Sequence, residues 1–151
     1  MEKPATKADD AFDIGALQAA DTAVMFVVFN GARTKWAWTF AGPGHPKAVA
    51  QSARLARERA KREAMQEAAR VNGRKWKPEA KSDDDTKVSN VEFILERLIT
   101  WNTMPFNGKP YEFSPENARA ILMNDSMVGL MIQALQFIGD DDAFIKGSAT
   151  S

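Results

Sequence analysis

One stretch decides the fold: Ala23-Val-Met-Phe-Val-Val-Phe29, then Asn30-Gly31, then Ala32-Arg-Thr-Lys-Trp-Ala-Trp-Thr-Phe40. Two runs rich in β-branched and aromatic residues flank an Asn-Gly pair. Both central positions of a type I′ turn need positive φ, which Asn and Gly tolerate, so the pattern predicts a β-hairpin. A two-residue loop sets Phe29 opposite Ala32. Counting outward then pairs Met25 with Trp36 and Ala23 with Trp38. Side chains alternate faces along a strand. Met25, Val27, Phe29, Trp36, Trp38 and Phe40 therefore share one face, and Arg33 and Lys35 the other. A lone hairpin is marginal in water, so helices or further strand must cover the apolar face.

Downstream, Ala41-Gly42-Pro43-Gly44-His45-Pro46 is a turn cluster that ends the second strand and places Pro46 near the start of a helix. Lys47 to Val71 is built from good helix formers, and Asn72-Gly73 supplies the stop. Its apolar positions are mostly alanine, a stripe that buries little area and holds the helix weakly. Residues 72–87 are polar, with Pro78 and Asp83-Asp84-Asp85, and read as a flexible linker that carries Trp76 as an isolated apolar anchor. Ser89-x-x-Glu92 reads as a capping box, followed at helical spacing by Val91, Ile94, Leu95, Leu98, Ile99 and Trp101, with the helix ending near Asn102. Asn107-Gly108 marks a tight turn. Ser114-Pro115-Glu116 is a cap, a first-turn proline and a first-turn acid. Asn124-Asp125-Ser126 breaks that helix and caps the last one, which runs to Gly139. The expected architecture is α+β, mainly α. It divides into a disordered arm (1–10), a β-hairpin or small antiparallel sheet plus a long charged helix (11–71), the linker (72–87), a three-helix unit (88–139) and an acidic, polar tail (140–151).

Composition narrows the chemistry. The chain has 151 residues, no cysteine and one histidine. Disulfides, cysteine nucleophiles, thiolate metal sites and multi-histidine metal sites are excluded together. Lys plus Arg and Asp plus Glu are 20 each, which argues against a dedicated nucleic-acid binder. The longest apolar run is the seven residues Ala23–Phe29, against about 20 needed for a membrane helix. Met1 to Asp13 lacks the apolar core of a secretory signal, so a soluble intracellular protein is expected. His45 has no acidic neighbour and reads as a turn residue. Asp83–Asp85 and Asp140–Asp142 lack the spacing of a calcium loop. Catalytic, cofactor and metal sites are therefore all read as none. The rival signal is Lys47 to Lys77, with ten Lys or Arg against three Glu. A basic helix with Trp76 nearby could grip phosphates. Its charges spread all around the helix, which favours a solvated face or one that docks an acidic protein surface. Met104, Met123, Met127 and Met131 suit an adaptable binding surface or a helical core.

The second half carries a family resemblance. Phe93-Ile-Leu-Glu-Arg-Leu-Ile-Thr-Trp101, Gly108-Lys-Pro110, Glu112-Phe-Ser-Pro-Glu-Asn-Ala118, a closing helix and Phe144 resemble tail assembly chaperones of long-tailed bacteriophages and prophages. The hairpin, the Gly-Pro-Gly-His-Pro corner and the Ala/Arg-rich helix follow the same order, so the resemblance covers roughly residues 12–146. The departure is Gly44-His45, where many relatives carry Asp or Ser, which leaves a weaker helix cap. The resemblance implies a non-catalytic chaperone that binds the tape measure protein transiently in the host cytoplasm and is absent from the mature virion. The tail tube protein is a second implied partner. No cofactor, membrane or nucleic acid is implied, and self-association is left open. Candidate contact residues, chosen for apolar character at loops and helix edges, are Trp76, Met104, Phe106, Met127, Met131 and Phe144. The alternative is a nucleic-acid-associated or scaffolding accessory protein that uses residues 47–77.

Overall fold

Thr22–Phe29 (β1) and Ala32–Ala41 (β2) form the expected antiparallel hairpin, with Asn30 and Gly31 both at positive φ. The computed structural model describes residues 13–17, 21–77 and 82–140. Phe29 faces Ala32 and Val28 faces Arg33, as counted from the turn, but the register then slips. Met25 pairs with Trp38, not Trp36, and Ala23 with Phe40. Between the two paired segments β2 spends Thr34, Lys35 and Trp36 against the single Val27 of β1. The Thr34 hydroxyl holds this bulge, donating to the Val27 carbonyl (2.7 Å) and accepting from the Trp36 amide (3.2 Å). Trp38 and Phe40 are carried to the middle of the core, where both are fully buried.

The helix after the corner, Pro46–Val71 (α1), begins and ends where the sequence indicates. Its cap is complete: His45 Nδ1 accepts from the Lys47 amide (3.0 Å), which corrects the expectation of a weak one. The next helix, Asp83–Arg97 (α2), starts seven residues before the one expected. Ser82 Oγ accepts from the Asp85 amide, and Asp83–Asp85 fill the first turn, where acids favour the positive end of the helix dipole. The last part of the expected linker is therefore helix, and the cap is Ser82 rather than Ser89. This helix also ends early. Leu98–Trp101 (β3) is a strand that pairs with β2, so the sheet order is β1-β2-β3. Ile99, Thr100 and Trp101 are good strand formers, and the free edge of β2 offers backbone partners that a lone helix end lacks.

Met104–Phe106 (β4) and Lys109–Tyr111 (β5) make a second, very short hairpin across Asn107-Gly108, again with both turn residues at positive φ. Pro115–Met123 (α3) is capped by Ser114, and Val128–Gly139 (α4) follows a 3₁₀ turn whose entry is capped by Asn124. The architecture is α+β and mainly helical, with the small antiparallel sheet near its N-terminal end.

A single apolar cluster joins the hairpin to the later helices. It contains Met25, Trp38 and Phe40 of the hairpin, Val91 and Ile94 of α2, Trp101 of β3, and Ile121, Leu122, Ala134 and Ile138 of α3 and α4. The long helix α1 meets this body mainly through polar groups. Gln51, which is buried, donates to the Phe93 carbonyl (2.9 Å) and to Glu96 (3.0 Å). Arg54 makes a two-pronged contact with Glu96 (2.6 and 2.5 Å), and Arg97 donates to the Gln51 side-chain oxygen (3.3 Å). From Leu55 to Ala68 every residue of α1 is exposed. No single helix among the described residues is long and apolar enough to cross a membrane.

Candidate functional site

A groove of about 410 Å³ lies beside the β1–β2 turn. Val27, Phe29 and Trp36 line it from the hairpin, Met104, Phe106 and Tyr111 from the short second hairpin, and Ile121 and Met127 from the helical side. No charged side chain lines it. Two other hollows among the described residues differ: one of 730 Å³ is lined partly by Lys47, Glu116 and Arg119, and one of 640 Å³ partly by Arg54, Glu58 and Glu92.

The groove is rigid on one side and adaptable on the other. Its rigid wall is the rim of an aromatic cluster. The Trp36 and Trp101 rings meet edge to face at 5.4 Å, Trp101 stacks on Tyr111 at 5.8 Å, and Phe106 meets Tyr111 at 5.1 Å. The Trp101 indole donates to the Tyr111 carbonyl (3.3 Å), and the Tyr111 hydroxyl to the Asn117 carbonyl (2.8 Å), which fixes the second hairpin against α3. Burial pushes the Tyr111 phenol above its ordinary range, so it stays neutral. The indole N–H groups of Trp36 and Trp38 are buried without an acceptor, so ring packing rather than polar anchoring holds those two in place. The adaptable wall is Met104 and Met127, both half-buried, whose unbranched thioethers re-form around differing shapes. Phe29 stands at the tip, 68% exposed. Such a surface suits apolar contact.

The chain matches no family model, no curated protein and no solved structure.

Three of the residues singled out from sequence meet in the groove: Met104 and Phe106 of β4, and Met127 of the 3₁₀ turn before α4. Met131 does not join them. It faces inward from α4 and belongs to the core cluster, so its apolar character serves packing. Trp76 is half-buried just beyond α1 and does not line this groove. Phe144 lies outside the described residues. Val27, Phe29, Trp36, Tyr111 and Ile121 also line the groove and are not singled out by the sequence. Phe29 carried a readable signal, since a large apolar side chain beside a tight turn has little of its own chain to pack on. Among the described residues, no group of three or more His, Asp or Glu is placed to hold a metal ion. His45 Nδ1 is already occupied as the α1 cap.

Proposed function

We propose that this protein is a tail assembly chaperone of a long-tailed bacteriophage or prophage. It covers an apolar stripe of the helical tape measure protein during tail building, with the tail tube protein as a second partner, and makes or breaks no covalent bond. The observation that carries the reading is the uncharged groove beside the hairpin tip, where Met104, Phe106 and Met127 converge with Phe29 and Trp36. An amphipathic helix presents apolar side chains at i, i+3, i+4 and i+7, and an open apolar groove is their natural receptor. Methionine walls accept related but unequal stripes along a long, repetitive partner. Binding spread over many modest contacts can be reversed when the growing tube displaces the chaperone.

Co-expression with the tape measure protein tests this. The double variant Met104→Ser, Met127→Ser should remain folded by circular dichroism, because both residues lie at the margin of the core. It should bind at least about tenfold more weakly, as loss of interface anchors does. Binding by the wild type should vary little between about 0.1 M and 0.5 M salt. Unchanged affinity in the double variant would remove the groove from the reading. The exposed outer half of α1, with Arg57, Arg59, Lys61 and Arg62, supports the alternative of a nucleic-acid-associated accessory role. That role predicts DNA or RNA affinity that falls steeply with salt.

A further inference from the structure

The sheet has an open side. In the order β1-β2-β3, β1 is an edge, and among the described residues no strand pairs with its outer side. The direction of its backbone groups follows from its neighbours. Ala37 exchanges hydrogen bonds with Asn102 on the β3 side, so its β1 partner Phe26 turns its own N–H and C=O to the free edge. Alternation places Thr22, Val24 and Val28 the same way. Val28 is already satisfied: the Gln133 side-chain amide accepts from its N–H (2.8 Å) and donates to its C=O (3.0 Å), as a neighbouring strand would. Thr22, Val24 and Phe26 remain. Val24 and Phe26 are also 43% and 36% exposed on the outer face.

Edge strands are commonly protected by a charge, a proline or a bulge in the strand itself. Thr22–Phe29 contains no charged residue and no proline, and the extra residues of its bulge lie in β2. We propose that Thr22–Phe26 is the pairing edge for a second copy of this chain, antiparallel about a two-fold axis through Val24. The register follows from the Gln133 clamp. It closes the edge at Val28, so the open segment is centred on Val24, and Thr22 of each copy meets Phe26 of the other. In that register Val24 exchanges both backbone bonds with its own counterpart. No charged side chain in the segment faces its copy. The Arg33 guanidinium, 4.4 Å above the Phe26 ring, stands at opposite ends of the paired segment in the two copies. The result is one continuous sheet through both molecules, formed independently of the groove. So short a pairing falls in the weak class of interface, under about 1,200 Å² in total, and is therefore concentration-dependent.

The test uses the full chain in sedimentation velocity from about 5 μM to 500 μM, with amide hydrogen exchange at both ends of that range. The wild type should move from monomer toward dimer as concentration rises, and the Val24 and Phe26 amides should exchange at least about tenfold more slowly at the high end. Val24→Pro removes an edge N–H that the monomer does not use, and Val24→Lys sets like charges face to face at the axis. Both should raise the dimerisation midpoint at least about tenfold, whereas Val24→Ile should leave it unchanged. A wild type that stays monomeric throughout, or variants with an unshifted midpoint, would overturn the proposal. So would Val24 and Phe26 amides protected equally at all concentrations, since that places a segment of the same chain on the edge. If Val24→Pro fails to fold, Val24→Lys and the wild-type exchange series decide.

Discussion

Glu96 shows how one side chain ties α1 to the body. Hydrogen bonds from Arg54 hold its carboxyl below the ordinary value of 4.5, outweighing the opposing effect of partial burial. A carboxyl that titrates lower in the folded chain than in the unfolded one adds stability above its unfolded value, and loses it as pH falls through the folded value. Lowering the pH below about 4.5 should therefore destabilise the wild type more than Glu96→Gln, by less than about 1 kcal/mol because both partners are one-third exposed. Melting temperature against pH checks this. Met131→Ser belongs to the same scale. Met131 sits in the core cluster, so truncating it and adding a hydroxyl should cost about 2–5 kcal/mol in urea unfolding. A loss within about 0.5 kcal/mol would return Met131 to the surface. Sequence alone could not separate Met131 from Met127. Both are methionines near the start of α4, but Met127 ends the 3₁₀ turn before it and lies at the groove, whereas Met131, inside the helix, faces the core.

At the scale of elements, short-range chemistry was readable and long-range capture was not. Asn30-Gly31, Asn107-Gly108, Ser114-Pro115 and Asn72-Gly73 mark their turns and helix ends correctly, because those preferences are settled within a few residues. The linker was misread at Ser82. Three aspartates look like solvation, yet after a capping serine they are a helix start. Ser82→Ala should cost about 1 kcal/mol and fray the first turn of α2, seen as faster amide exchange at Asp85 and Thr86. Ser89→Ala should do neither at the helix start. The strand Leu98–Trp101 was hidden for a different reason. Its apolar spacing continues the helical pattern of Ile94 and Leu95, and what turns it into strand is the free edge of β2, more than fifty residues earlier in the chain.

At the scale of the whole molecule, the hairpin and the later helices depend on one another. Trp38 and Phe40 are buried by Ile94, Trp101 and Leu122, so residues 11–71 alone would expose the face they most need to cover. The isolated segment should show no cooperative unfolding and no near-ultraviolet tryptophan dichroism, whereas the full chain should show both; a folded hairpin fragment would refute the shared core. What the sequence by itself determined was local: the mainly helical α+β class, the turns, most helix starts and stops, and an apolar hairpin face in need of a cover. The tertiary structure alone decided the register slip at Thr34, the third strand, the fate of each methionine and the groove beside the hairpin tip. The division is physical. Turns and caps are satisfied by neighbours in the chain, whereas a groove or a sheet edge exists only where distant segments meet.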